Sequence, residues 1–136
     1  MSAPQVLLDT DILSLLMRQD PVVAGKAQDY LAEHQRFTLS IITRYEVLRG
    51  LKSKGAAKRE GAFDQFCAGS EVLPLTENVI VKAAEIYANL YKRGELVGDA
   101  DILIAATALT NGFGVTTNNE RHFERVTGLY VENWRK

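Results

Sequence analysis

Cysteine, histidine and net charge are all scarce in this sequence, and each scarcity removes a class of protein. Cys67 is the one cysteine in 136 residues. It cannot close an internal disulfide, and without a CxxC or a Cys/His cluster there is no case for structural zinc; both points suit a reducing cytoplasm. The two histidines, His34 and His122, have no partner at ligand spacing and read as surface residues. Lys and Arg number 16 against 17 Asp and Glu, for a formal charge of -1. A polycation that coats nucleic acid is thereby excluded, and any such binding must come from local patches. No apolar run approaches the length of a membrane span. The N-terminus, MSAPQVLLDTD, lacks a basic leader region and its apolar stretch ends at an acid, so no signal peptide is expected. Repeats, low-complexity segments and clear linkers are missing too. The reading is one soluble, cytoplasmic domain over residues 1–136 that contacts no membrane.

What remains is a globular composition, 46% hydrophobic and 24% charged, in which two periods alternate. Strand-like runs fall at 6–8 (VLL), 37–42 (FTLSII), 72–75 (VLPL), 113–117 (FGVTT) and 129–131 (LYV). Between them the period turns helical. Asp20-Pro21 starts a helix that puts Val23, Ala27, Tyr30 and Leu31 on one face. Thr76 caps another, with a stripe of Val79, Ala83, Ile86, Tyr87, Leu90 and Tyr91 ending near Gly94. Residues 102–109, ILIAATAL, are apolar all round, which predicts a buried helix stopping near Asn111-Gly112. Trp134 and the tyrosines read as packing, and 52–62 (KSKGAAKREGA) as the mobile stretch. Strands alternating with helices give an α/β fold with a mostly parallel sheet covered on both faces.

Two carboxylates interrupt the first apolar run, VLLDTDILSLL. Asp9 closes a buried strand, where a charge is costly without a partner. In open parallel sheets, ligands bind beyond the carboxyl ends of the strands, where strand order reverses. Glu46 follows the second strand in SIITRYEVLRG; Asp101, with Asp99 two residues before it, opens the buried helix; Asn118 and Asn119 follow the fourth run. All of them can share one edge. Carboxylates gathered there repel and want a cation between them, and an oxygen-only set suits Mg²⁺ or Mn²⁺ better than zinc. Each position also has a plainer reading. Asp9 or Asp11 can serve the turn at 10–13, and Glu46 stands three residues after Thr43 in a T-x-x-E capping box. Asp99 can be an N-cap, Asp101 complements a helix dipole, and the two amides can be turn residues. The constellation carries the site, since no single position decides it.

Between 44 and 59 lie Arg44, Arg49, Lys52, Lys54, Lys58 and Arg59, with Glu46 the one acid among them. Solvated lysines on a helix explain such a run without function. A basic segment starting at the rim of an acidic metal site is also what a phosphodiester substrate needs, because cations hold flanking phosphates while the metal engages the scissile one. Arg121 and Arg125 can extend that surface.

In this combination the chain resembles the PIN-domain ribonucleases, and among them the VapC-type toxins of bacterial toxin–antitoxin pairs, over nearly its whole length. VLLDTDILS is similar to the family's first strand and first acid, ITRYEVLRG to its second acid, VGDADILIAATAL to its third. TTNNERHFERVTGLYVENW resembles the ending of many such toxins. The resemblance implies a three-layer α/β/α PIN-like domain with a central sheet of about five strands. It implies metal-assisted hydrolysis of RNA, with Asp9 and Asp101 as principal ligands and Glu46 completing a catalytic acidic triad. Asn119 stands near the family's fourth acid, with Asp99 as an accessory. Thr10, Asp11 and Asn118 would line the site, with Arg44, Arg49, Lys52 and Arg121 toward the substrate. A structured RNA such as a tRNA or rRNA loop is the implied substrate. A homodimer and a small inhibiting antitoxin, joined in a higher assembly, are the implied partners. Two rivals remain. One is a haloacid-dehalogenase-like phosphatase with Asp9 as nucleophile, Asp11 as acid/base, Thr43 on the phosphate and GDAD as metal acids. The other is a catalytically silent PIN-like domain that binds RNA or protein through its basic segment.

Overall fold

In the computed structural model, which describes residues 3–136, five short strands form one sheet. They are β1 (Val6–Leu8), β2 (Thr38–Ser40), β3 (Glu71–Leu73), β4 (Gly114–Thr116) and β5 (Val131–Glu132), in the order β3-β2-β1-β4-β5. Every neighbouring pair is parallel. Between them run α1 (Thr10–Met17), α2 (Pro21–His34), α3 (Ile41–Ser53), α4 (Ala57–Ala68), α5 (Glu77–Lys92), α6 (Asp99–Asn111) and α7 (Glu120–Phe123). Strand β1 explains the layering. Its three residues are fully buried, and successive side chains leave a strand on opposite faces. Leu7 joins Val79, Ala83, Leu90, Ile104 and Ala105 from α5 and α6. Val6 and Leu8 join Ile12, Leu13, Val23 and Phe63 from α1, α2 and α4. Each such burial is worth roughly 1.5–3 kcal/mol, so an all-apolar strand is stable only when helices cover both faces, giving three layers. No helix among the described residues is long and apolar enough to cross a membrane.

The helix boundaries follow local chemistry. Asp20 accepts a hydrogen bond from the Val23 amide (3.0 Å), and Thr76 from the Val79 amide (3.2 Å). Gly112, at φ 76°, closes α6 in the left-handed region. Gly114 begins β4 where a Cβ would lie 2.6 Å from the backbone oxygen of Tyr130, so the approach of these segments requires glycine.

Several local expectations are corrected. The run 37–42 is a strand only over Thr38–Ser40, because the Ser40 hydroxyl accepts from the Thr43 amide (3.0 Å) and starts α3 at Ile41. Thr43 is therefore a capped residue, fully buried, and the T-x-x-E box does not form. Gly98, not Asp99, is the N-cap of α6, and Asp99 is exposed. Residues 52–62 are mostly helical, with the α3–α4 turn confined to 54–56. On α5 the buried stripe is Val79, Ala83, Ile86 and Leu90. Tyr87 and Tyr91 lie beside it, exposed, with rings stacked 6.2 Å apart. Tyr45 and Tyr130 are exposed as well; Tyr30 alone of the tyrosines packs inside, 5.4 Å from Trp134. His34 packs on Tyr30 at 4.5 Å and meets the Ala3 carbonyl at 2.8 Å, so it is no free surface residue.

Candidate active site

Strands β1 and β4 lie side by side, while β2 and β3 continue on one flank and β5 on the other. Strand order reverses there, and the crevice beyond the two carboxyl ends is where such a sheet presents a ligand site. Asp9 follows β1 and Thr117 follows β4 at that point. The Asp9 amide donates to the Thr116 carbonyl (3.0 Å), locking the two strand ends together.

Asp9 is 6% exposed. One carboxyl oxygen accepts from the Thr10 amide (2.8 Å), the other from the Thr117 hydroxyl (2.7 Å). Burial pushes its pKa from 3.8 up to about 7, Asp11 and then Asp101 add to the rise, and the two hydrogen bonds oppose it. Asp11 is raised as well, first by burial and further by Asp101, although the amides of Ile12 (2.7 Å) and Asn118 (3.1 Å) donate to it. Asp101 thus acts on both Asp9 and Asp11, and at these two positions burial outweighs the local donors.

Asp101, in the first turn of α6, meets the start of α7. Its Oδ2 lies 2.9 Å from His122 Nδ1 and 3.4 Å from Asn119 Nδ2, and the same ring nitrogen lies 2.8 Å from that amide. A single ring nitrogen has either a proton for Asp101 or a lone pair for the amide, so it serves one of the two at a time. Glu46, in the second turn of α3, reaches back toward α1. Its Oε1 accepts from the Thr10 hydroxyl (2.6 Å), and its Oε2 is 3.8 Å from Arg49.

The structure therefore brings Asp9, Asp11, Asp101, Asn118 and Asn119 together, ties Glu46 to them through Thr10, and leaves Asp99 outside these contacts. It also divides the basic residues. Arg44 is ion-paired to Asp64 (3.1 Å) and lies over the Phe63 ring; Lys52 is paired to Glu60 (2.8 Å). Both are committed to α4. Arg125 is spent on the carbonyls of Glu95 and Leu96. Arg49 and Arg121 remain exposed. Thr117 and His122 were not singled out by the sequence for the site. The only local signal for His122 is its place three residues after Asn119.

Among the described residues no group of three Asp, Glu, His or Cys side chains is already gathered in the arrangement that holds an ion. The carboxylates are instead turned to Thr10, Thr117, His122 and backbone amides. Their chemistry nonetheless fits a hard divalent cation: all-oxygen donors, one of them buried with an elevated pKa. The phosphatase alternative fits poorly, since Thr43 is fully buried and the element directly before Asp99 and Asp101 is helix α5 rather than a strand.

The PIN domain family model matches residues 6–129. The tRNA(fMet)-specific endonuclease VapC of Shigella flexneri is 30% identical, covering 94% of this chain and 96% of that protein. Ribonuclease VapC1 of Methanocaldococcus jannaschii is 38% identical over 65% of this chain and 62% of its own length. Among solved structures, DNA-bound VapBC of Salmonella typhimurium superposes with a TM-score of 0.85 at 28% identity, covering 97% of this chain and 99% of that one. VapBC2 of Rickettsia felis, bound to a promoter DNA fragment, gives 0.84 at 26%, covering 95% and 98%. With its acids at the switch point of a five-stranded parallel sheet, the chain belongs to the PIN domain family and, within it, to the VapC group.

Proposed function

We propose that the chain is a Mg²⁺- or Mn²⁺-dependent endoribonuclease that hydrolyses phosphodiester bonds in structured RNA, and that it is the toxin of a pair with a small antitoxin protein. The observation that carries the reading is Asp9, a buried carboxylate whose proton is held up to about 7 by desolvation and by two neighbouring acids. The ionised form of such a group is stabilised when a cation shares its site. Asp9 and Asp101 would hold the ion, with Glu46 completing the set and Asp11 and Asn119 beside them. A bound divalent ion supplies a nucleophilic water near neutral pH and offsets charge developing on the phosphate.

The chain's own residues position the rest. Thr117 and the Thr10 amide fix both oxygens of Asp9, and His122 with Asn119 orients Asp101. Thr10, next to Asp9, holds Glu46 by its hydroxyl. Arg49 and Arg121 offer exposed cations for phosphates flanking the cut. Full-length relatives named as ribonucleases and as a tRNA endonuclease support RNA as substrate. The similar VapBC assemblies support a protein partner, and we extend this to a homodimer in a higher, cytoplasmic assembly. A groove of about 400 Å³ adjoins Thr10 and Glu46, with Val47, Leu51 and Phe63 among its lining and Arg18 and Arg59 also there. An apolar antitoxin segment fits it, with a basic side chain reaching the acids.

The test is incubation of the purified chain with total cellular RNA, in Mg²⁺, in Mn²⁺ and in chelator, followed by mapping of new RNA ends. A few discrete, metal-dependent cuts in one RNA class are expected. No new ends in either metal would sink the nuclease reading and favour a silent binding domain.

A further inference from the structure

Tyr45 precedes Glu46 on α3 and is 57% exposed, so the core has no use for its ring. The partner it does have is Arg49, one helical turn on, whose guanidinium carbon lies 5.1 Å from the ring centroid. Arg49 is itself largely exposed and sits 3.8 Å from Glu46, which the Thr10 hydroxyl holds at 2.6 Å. The Thr10 amide in turn donates to Asp9. An unbroken series of contacts therefore runs from the buried acid of the site to an exposed aromatic ring. The other exposed tyrosines differ. Tyr87 and Tyr91 stack on each other far along α5, roughly 15–20 Å beyond its start. Tyr130 packs on Gly114.

A plain helix surface accounts for an Arg four residues after a Tyr, and such pairs stabilise a helix slightly. What it leaves unexplained is why an exposed ring is joined, through Arg49 and Glu46, to the acids of the site. An aromatic side chain there, with its orientation restricted by a stacked guanidinium, is a preorganised surface for an unpaired base. Single-stranded RNA loops are recognised by stacking of splayed bases on aromatic rings and guanidinium planes. The cation beside the ring also complements the phosphate that follows that base.

We propose that Tyr45, held by Arg49, is a stacking platform for one unpaired nucleobase next to the phosphodiester that the acidic site cuts. The inference rests on the ribonuclease reading and adds a subsite to it: the cut lies in a loop, one or two nucleotides from a base held by stacking.

The experiment uses a synthetic hairpin RNA carrying the anticodon stem-loop of initiator tRNA, and the same hairpin with single abasic nucleotides placed along the loop. Cleavage in Mn²⁺ is measured for wild type, Tyr45→Ala and Tyr45→Phe. Tyr45→Ala is expected to raise KM roughly tenfold, within the range for loss of one stacked base, with kcat within about twofold. Tyr45→Phe keeps wild-type KM. One abasic position should weaken wild type to the same extent and add nothing further in Tyr45→Ala, since ring and base then act as one contact. Unchanged KM in Tyr45→Ala, or an abasic penalty that adds to it, overturns the platform while leaving the nuclease intact. So does a change in oligomeric state of Tyr45→Ala on sedimentation, which would assign the ring to a protein contact. Failure of wild type to cut either the hairpin or any RNA of the total cellular pool would overturn the RNA reading itself, and the platform with it.

Discussion

Replacing Asp9 by Asn separates the charge of the site from its shape. The wild-type carboxyl is pushed from 3.8 to about 7, first by burial and then by Asp11. At ~1.4 kcal/mol per tenfold change in proton affinity, an ionised Asp9 costs the folded state up to about 4 kcal/mol when no cation is bound. The folded carboxyl holds its proton more tightly than the unfolded one. The cost is therefore absent below pH 3.8, grows as pH rises from there, and is complete above 7. An amide at this position keeps an acceptor for the Thr10 amide, and the Thr117 hydroxyl can turn from donor to acceptor. Urea denaturation in chelator at pH 8 should find Asp9→Asn more stable than wild type by about 2–4 kcal/mol, and the two within about 1 kcal/mol at pH 4. Mg²⁺ at a hundred times its dissociation constant then stabilises wild type by about 2.7 kcal/mol and leaves the variant where it was. A variant no more stable at pH 8, or one that Mg²⁺ stabilises equally, refutes the reasoning.

Thr117→Val removes the donor to Asp9 Oδ2 and should push that carboxyl higher still; the pH of half-maximal cleavage rises by about one pH unit, and an unmoved pH–rate profile would show the contact to be idle. Glu46→Gln keeps the acceptor for Thr10 but loses the charge. Cleavage should fall by roughly a hundredfold with the melting temperature within about 2 °C, whereas undiminished cleavage would remove Glu46 from the site. Gly114→Ala drives a methyl to within 2.6 Å of the Tyr130 backbone oxygen. It should lower stability by about 2–3 kcal/mol in urea denaturation, and a wild-type midpoint would contradict the strand packing.

The fold was legible where one local rule acts alone. An apolar triplet ending in an acid marked β1, and an all-apolar octet marked α6, because burial on every side leaves no polar period to misread. Local rules failed where two of them compete. Thr43 and Glu46 form a capping pattern, but Ser40, three residues earlier, takes the cap and frees Glu46 for Thr10. Tyr87 and Tyr91 share the helical period of the apolar stripe, yet α5 packs chiefly on α6 and leaves their side to solvent. Long-range partners were invisible. Thr117 reads as an ordinary strand residue, and its bond to Asp9 spans 108 residues and depends on β1 lying beside β4. His122 reaches Asp101 only because α7 packs near the start of α6. The basic run looked free for phosphates because Glu60 and Asp64, which pair with Lys52 and Arg44, begin one residue past its end.

The claim that Asp9 carries charge meant for a divalent cation is tested most directly by following its own carboxyl carbon by NMR through a pH titration, first in chelator and then in Mg²⁺. A midpoint near 7 without metal and a fall to the ordinary carboxylate range or below once Mg²⁺ is present are expected. A midpoint near 3.8 in chelator, or one that Mg²⁺ leaves unmoved, would contradict it.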